Sequence, residues 1–434
     1  MGLKTGRARK RMREGIHNYL QRGLWRHDSK VTAMQKLELY EVDKLGSKEN
    51  RTIQFRGVAF NVALGQYLEP VEQRLLDCVG GNPSGVPFMA KGRTPRQRAT
   101  QLMLMAEGYK EPYFMGLDHS RFDAHVAVEH LKLTHKLYVA CCPKSTELRR
   151  LLKCQIHNKG TTKGGVDYEC MGKRMSGDID TSLGNSIINF GLLHSWLTLS
   201  GVRGDILLDG DDSIVVFDRS DRDKLIPVKE YMLKLGMETE VEAESTDITQ
   251  IDFCQARIVF DRQGPFFCPN PRKFLVTTLM SAEKVNQAEV RPILRASIQS
   301  LLAVSSSLPM AKPLYRWLVA NPGDRLLRQK DLYRFREKGG AFHDTWSEPT
   351  FEERTSFWKA WNIEPWQQVA FEEEQHVVLG CNPRRDARVR VAIPEEPSVG
   401  YDDPLAIQVI RQPMDLEWEN QNPHFRCHWE AVAK

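Results

Sequence analysis

Two adjacent carboxylates, Asp211 and Asp212, follow a glycine between two aliphatic runs, Gly204 to Asp209 and Asp212 to Phe217. Runs rich in β-branched and aliphatic residues are the composition of buried strands, and a short turn between them predicts a hairpin that presents both carboxylates at its tip. Like charges held together in a desolvated turn raise each other's pKa, and a cation is the natural compensation. Hard oxygen donors of this kind suit Mg²⁺, which binds through one or two carboxylates together with substrate phosphates. Taken alone, a Gly-Asp-Asp turn is equally a solvated loop with ordinary turn chemistry.

Two earlier groups change that reading. Tyr113 to Leu117 has the composition of a short strand ending at Asp118, and Asp123 lies five residues further on. Two-metal phosphoryl transfer needs carboxylates from separate segments to converge on ions about 3.5–4 Å apart, and Asp118 meeting the hairpin tip would supply them. The bland alternative for Asp118 is a helix N-cap. The second group is Met175 to Asn185, where Gly177 marks a loop and Leu183, Ile187, Ile188, Leu192 and Trp196 predict a helix after it. Thr181 and Asn185 are four apart and share one helical face, so a hydroxyl and an amide can together read a substrate hydroxyl. Here the alternative is that Ser176 and Thr181 only cap the helix.

In this order, Asp118-x4-Asp123, Ser176-Gly-x3-Thr181-x3-Asn185 and Gly210-Asp211-Asp212 resemble motifs A, B and C of viral RNA-dependent RNA polymerases. The spelling around residues 116–126 and 174–185 resembles the tombusvirus-like group of plus-strand RNA viruses. Lys48, Arg51 and Arg56 with residues 60–72 resemble the basic motif F and its following helix. Ile251 to Gln255 resembles motif E, Asn270 to Lys273 the element leading into the thumb, and Phe357 to Trp361 the thumb's end. The resemblance spans roughly residues 30 to 375.

It implies an α+β right-hand polymerase of fingers, palm and thumb, with an antiparallel palm sheet flanked by helices. Residues 1–30 would form a basic extension, 31–110 and 142–172 the fingers, 111–141 and 173–260 the palm, 261–375 the thumb, and 376–434 a partly disordered tail. Asp118 and Asp211, assisted by Asp212, would hold two Mg²⁺ or Mn²⁺ ions. Asp123, Thr181 and Asn185 would sense the ribose 2′-hydroxyl, Ser176 and Gly177 would form a loop beside the nascent base pair, and Arg51 and Arg56 would contact the incoming triphosphate. RNA would meet Lys48, Lys91, Lys159, Arg174, Phe253, Cys254 and Gln255. Motif D departs from the common pattern. Glu238, Glu240 and Glu242 stand where relatives often carry a basic residue; Lys234, just before Leu235, is a candidate substitute, and the general acid stays unassigned.

Composition agrees with a soluble, large-core enzyme: 41% of the 434 residues are hydrophobic and 27% charged. The net charge of +5 is unevenly placed, with nine Lys/Arg against two Asp/Glu in residues 1–30 and seven against twelve in 366–434. The basic start fits phosphate-backbone contact and equally a basic arm or targeting run. Nine dispersed cysteines without a Cys-x2-Cys pair predict reduced thiols, and Cys154, His157 and Cys170 lack a fourth zinc ligand at useful spacing. No run of 18 apolar residues and no signal core is present. The resemblance therefore places the chain in membrane-associated replication complexes of the host cytoplasm, reached through a viral replication-associated protein that carries the anchor. Its partners would be template and nascent RNA and ribonucleoside triphosphates.

Three rival readings differ in identifiable residues. A reverse transcriptase would usually carry an aromatic residue two before the Asp pair, where this chain has Asp209-Gly210, and a DNA polymerase or two-metal nuclease leaves the A–B–C spacing unexplained. A catalytically inactive polymerase-like scaffold that binds RNA would be expected to have lost Asp118, Gly210 or Asp211, and all are present.

Overall fold

The computed structural model describes residues 6–36, 51–279, 286–325, 342–375, 377–381 and 387–391, and it divides into two compact units. The first unit, up to Ile258, begins with α1 (Gly6–Arg22), β1 (Val31–Gln35), β2 (Thr52–Phe55), α2 (Val58–Leu75) and α3 (Pro95–Ala106). It continues through β3 (Pro112–His119), the short α4 (Phe122–His125), α5 (Val128–Cys141), α6 (Thr146–Ile156), β4 (His157–Thr162) and β5 (Asp167–Met171). Then come α7 (Thr181–Ser200), β6 (Gly204–Asp209), β7 (Asp212–Asp218), α8 (Val228–Lys234) and β8 (Thr239–Ser245). The basic start is helical from Gly6, and Tyr19 on that helix donates to Glu147 at 2.8 Å.

The sheet that matters for chemistry has the order β6-β7-β3-β8 and is antiparallel throughout. Strands β6 and β7 are buried on both faces because Ile206, Leu207, Leu208, Ile214, Val215, Val216 and Phe217 leave almost nothing exposed, whereas edge strand β8 alternates with exposed positions. A second sheet, β2-β1-β4-β5, contains one parallel pair, β1 with β4. The twenty-residue α7 follows the Ser176–Gly177 loop as the residue pattern predicts. It is apolar on most of its circumference because it packs among β6, α5 and α8. Gly201, at φ +64°, closes it in the left-handed conformation that L side chains resist. Trp196 on α7 is almost completely buried and donates its indole N–H to the Ile226 carbonyl at 2.8 Å.

The second unit, from Val259 onward, holds the second half of β9 (Ala256–Asp261), which pairs with β10 (Gly264–Pro269). It adds α9 (Pro271–Leu279), α10 (Gln287–Leu302), α11 (Lys312–Ala320), α12 (Phe351–Trp361) and α13 (Pro365–Glu374). An antiparallel pair, β11 (Val377–Cys381) and β12 (Ala387–Val391), lies at the start of the segment expected to be a partly disordered tail. The helices enclose a core around Phe274, Leu308, Leu314 and Phe357. Within it Arg354 donates to Glu372 at 2.7 Å with both groups buried, and Glu372 also accepts from the Met310 amide. Trp346 and Trp361 pack against this core. Trp358 and Trp366 remain 39% and 64% exposed, because their helix positions face outward. Cys141 is exposed at the last residue of α5.

Replacing Trp196 by Ala removes the largest fully buried side chain of the first unit and leaves the Ile226 carbonyl unpaired. The expected loss is about 3–5 kcal/mol, read as a lower urea midpoint, whereas an unchanged midpoint would mean that α7 is not a pillar of this core.

Candidate active site

The β6–β7 connection is a two-residue hairpin turn, with Asp209 paired to Asp212 and Gly210 and Asp211 between them. Gly210 has φ +76° while Asp211 does not, the type II′ pattern that calls for glycine at the first central position. Asp211 thus occupies the tip and Asp212 begins β7. On the neighbouring strand Leu117 pairs with Ser213, so Asp118 stands one step further along, beside Asp212. Asp118 is half-buried. On its other side β3 pairs with β8 through a bulge between Gly116 and Leu117, which skips Glu242 and leaves it outside the ladder.

Electrostatics follow from this crowding. Asp212 is pushed up to about 7 by burial first and then by the charges of Asp211, Asp118, Asp209 and Glu242. Burial also raises Asp211, with Asp123 and Asp118 adding to it and Arg51 opposing. Glu242 is raised by burial and by Asp118. A set of hard oxygen donors that disfavours its own charge fits a divalent cation such as Mg²⁺ or Mn²⁺. Among the described residues no group of three or more carboxylate, imidazole or thiolate side chains is arranged to hold a metal ion.

The turn is braced from α7 by two residues that the motif spacing did not single out. Ser186 accepts from the Gly210 amide at 3.0 Å, and the Asn189 amide group donates to the carbonyls of Gly210 and Asp211 at 3.2 and 3.0 Å. The Asn189 oxygen then faces His119 Nε2 at 3.0 Å, which must donate, leaving Nδ1 to accept from Thr239 at 2.8 Å. Burial lowers the His119 pKa, in keeping with the neutral ring. The available signal was helical phase: Thr181, Asn185 and Asn189 recur every four residues along one face.

Of the three residues expected to read a ribose, two come together. Asn185 donates to the Asp123 carboxylate at 2.8 Å. Asp123 is raised by burial, while the Asn185 hydrogen bond and the charges of Arg174 and Arg51 work in the opposite sense. Thr181 turns to its own loop, with its hydroxyl within 2.8 and 2.9 Å of the Met175 and Asp178 carbonyls. It neither joins the Asp123–Asn185 pair nor caps the helix, whose N-cap is Asp180. Ser176 accepts from the Gln54 amide at 3.1 Å, and the Gly177 amide donates to the Gln54 carbonyl at 2.7 Å, so this loop is zipped onto β2. A side chain at Gly177 would place its Cβ 2.6 Å from that of Phe55, which explains the glycine.

The basic residues sort by burial. Arg51 is exposed and within electrostatic reach of Asp123 and Asp211. Arg56 is buried instead. Its guanidinium donates to both Asp178 oxygens at 3.0 and 3.1 Å, to the Ser29 carbonyl at 2.6 Å and to Asn158, and so does not line a triphosphate channel. Arg174 is buried as well, paired with Asp180 at 2.9 Å, which removes it from RNA. Lys91 is paired with Glu72. Phe253 is buried at a two-residue turn whose central residues, Cys254 and Gln255, both have positive φ, so its ring is not offered to a strand. Lys159 remains exposed, 3.3 Å from Glu169. Lys48 lies outside the described residues. Among those described, no helix is long and apolar enough to cross a membrane.

A family profile described as viral RNA dependent RNA polymerase matches residues 1–378. The chain is 30% identical over 367 residues to a protein named RNA-directed RNA polymerase from Oat chlorotic stunt virus, covering 80% of this chain and 49% of that one. Proteins of the same name from Cymbidium ringspot virus and Tomato bushy stunt virus (strain Cherry) are 31% and 30% identical over 358 and 356 residues, each covering 80% of this chain and 43% of the relative. The chain thus spans about half the length, or less, of the curated relatives it matches. With the order of carboxylates, hairpin and amide helix already in place, the match over most of its residues means that this chain belongs to the viral RNA-dependent RNA polymerase family.

Proposed function

We propose that this chain performs template-directed synthesis of RNA from ribonucleoside triphosphates and so replicates a plus-strand viral genome. The observation that carries the reading is the meeting of Asp118 with Asp211 and Asp212 at one sheet end, beside the Asp123–Asn185 pair. In this reading the β6-β7-β3-β8 sheet with α5 and α7 is the palm, the β2-β1-β4-β5 sheet belongs to the fingers, and the second unit is the thumb.

Asp118 and Asp211 hold two divalent ions, with Asp212 assisting. When bound, such ions neutralise triphosphate charge and activate the attacking 3′-hydroxyl. The type II′ turn, held by Ser186 and Asn189, keeps Asp211 at its tip without reorganisation during the reaction. Asp123 accepts from the ribose 2′-hydroxyl, the group that separates RNA precursors from DNA precursors. Arg51 faces the triphosphate, where a guanidinium fork matches phosphate oxygens. The Ser176–Gly177 loop lies beside the nascent pair, Lys159 faces template, and the Cys254–Gln255 turn approaches the product strand. A viral replication-associated protein brings the complex to host cytoplasmic membranes.

Ribonucleotide incorporation on single-stranded RNA with Mg²⁺ or Mn²⁺ tests this directly. Asp118→Ala and Asp211→Ala are each expected to cut the rate by about a thousandfold or more, the scale on which principal catalytic groups act. Synthesis surviving Asp211→Ala would refute the placement of the centre, and a folded wild type that binds RNA without synthesis would favour an RNA-binding scaffold. Asp123→Ala is expected to lower the preference for ribo- over deoxyribonucleotides by about 10- to 100-fold, the loss of one hydrogen bond to a charged group. An unchanged preference would remove Asp123 from sugar recognition.

A further inference from the structure

Arg174 was expected on an RNA surface and is instead almost completely buried one layer behind the Asp123–Asn185 pair. It is bonded to both members of that pair. Its backbone amide donates to the Asp123 carbonyl at 2.9 Å, and its Nε donates to the Asn185 side-chain oxygen at 3.1 Å. Nη1 is anchored on Asp180 at 2.9 Å. Asp180 is itself fixed by Gln155, which donates to it at 2.8 Å and to Asp178 at 3.2 Å, and Asp178 is held by Arg56. The guanidinium is therefore pinned from behind by a buried chain that runs back to the residue after β2.

The consequence lies in the chemistry of an amide. The two ends of the Asn185 group differ only in that one donates and the other accepts. A donor at Arg174 Nε compels the oxygen to face it, and this turns the Asn185 NH₂ toward Asp123, where it donates at 2.8 Å. With the amide reversed, an oxygen would face the Asp123 carboxylate and repel it. Gly184 supplies the space for this arrangement, since a Cβ there would overlap Arg174 Nη2. Gly184 lies within α7 at no unusual φ, so room for the guanidinium is what its missing side chain provides.

We infer that Arg174, with Asp180 behind it and Gly184 beside it, is the positioning group that sets the Asn185 amide and so makes Asp123 a selective acceptor for the ribose 2′-hydroxyl. This rests on the reading of Asp123 and Asn185 as the sugar-sensing pair. Lysine is a poor substitute, because one ammonium cannot hold Asp180 and Asn185 in the fixed fork of a guanidinium.

The test compares kcat/KM for ATP and 2′-dATP in RNA-templated extension by the full chain, for Arg174→Lys, Gly184→Ala and Asp123→Ala. Both Arg174→Lys and Gly184→Ala are expected to lower the ATP/2′-dATP ratio by about 10- to 100-fold, with the loss falling on ATP. Arg174→Lys combined with Asp123→Ala should lower it no further than Asp123→Ala alone, as for groups acting through one contact. Gly184→Ala keeps a result available if Arg174→Lys does not fold, since alanine favours a helix interior over glycine. Equal losses on both nucleotides with an unchanged ratio, or additive effects in the double variant, would overturn the inference while leaving sugar recognition intact. A ratio unmoved by Asp123→Ala itself would overturn both.

Discussion

Mutual repulsion among carboxylates gathered at one end of a buried sheet is the constraint around which the first unit is organised. Asp118, Asp211 and Asp212 come from a strand and a hairpin with aliphatic interiors, and Glu242 and Asp209 add charge nearby. Burial raises Asp211 and Asp212 and favours their protonated forms, a cost that a nearby cation would offset. The surrounding structure prevents the chain from relaxing away from that crowding. Three strands with buried aliphatic side chains fix the register, a glycine at φ +76° fixes the turn, and α7 holds the turn's own backbone through Ser186 and Asn189.

A second layer is built from buried arginines and carboxylates. Arg56 with Asp178 and Arg174 with Asp180 lie almost wholly out of water, joined through Gln155 and Asn158. Such pairs contribute little net stability once desolvation is counted, but breaking one leaves an uncompensated charge, so they are strongly directional. Here the direction is useful, because the network ties β2, the Ser176–Gly177 loop, the end of α6 and the start of α7 into one hydrogen-bonded unit. The second unit uses the same device in its own core, where Arg354 and Glu372 join α12 to α13 and Glu372 receives the Met310 amide.

Much of this arrangement is legible in the order of the amino acids. The strands around the Gly-Asp-Asp turn, the helix after Gly177 and the nearness of Asp118 to the turn follow from aliphatic runs, glycines and the order of the motifs. Motif order also points to Asp123 with Asn185, which the fold joins by a hydrogen bond. The basic residues are not legible in the same way. A lysine or arginine has the same place in a sequence whether it faces solvent or a buried carboxylate, and Arg56, Arg174 and Lys91 each found an acidic partner through the fold. Arg174 lies only six residues from Asp180, yet burial of the pair depends on α5, α6 and α7 closing over it.

What the sequence determined by itself was therefore the set of local conformations and the order of carboxylates, hairpin and amide helix along the chain. Side-chain alternation, turn chemistry and motif spacing act over a few residues and survive without knowledge of the fold. What only the tertiary structure decided was which polar groups are removed from water and which partner each one meets. That choice assigned Thr181 to its own loop, Asn189 to the Gly210–Asp211 turn and Arg174 to the Asn185 amide. Its physical reason is that the strength and direction of a hydrogen bond or ion pair depend on desolvation, and desolvation is a property of the packed whole.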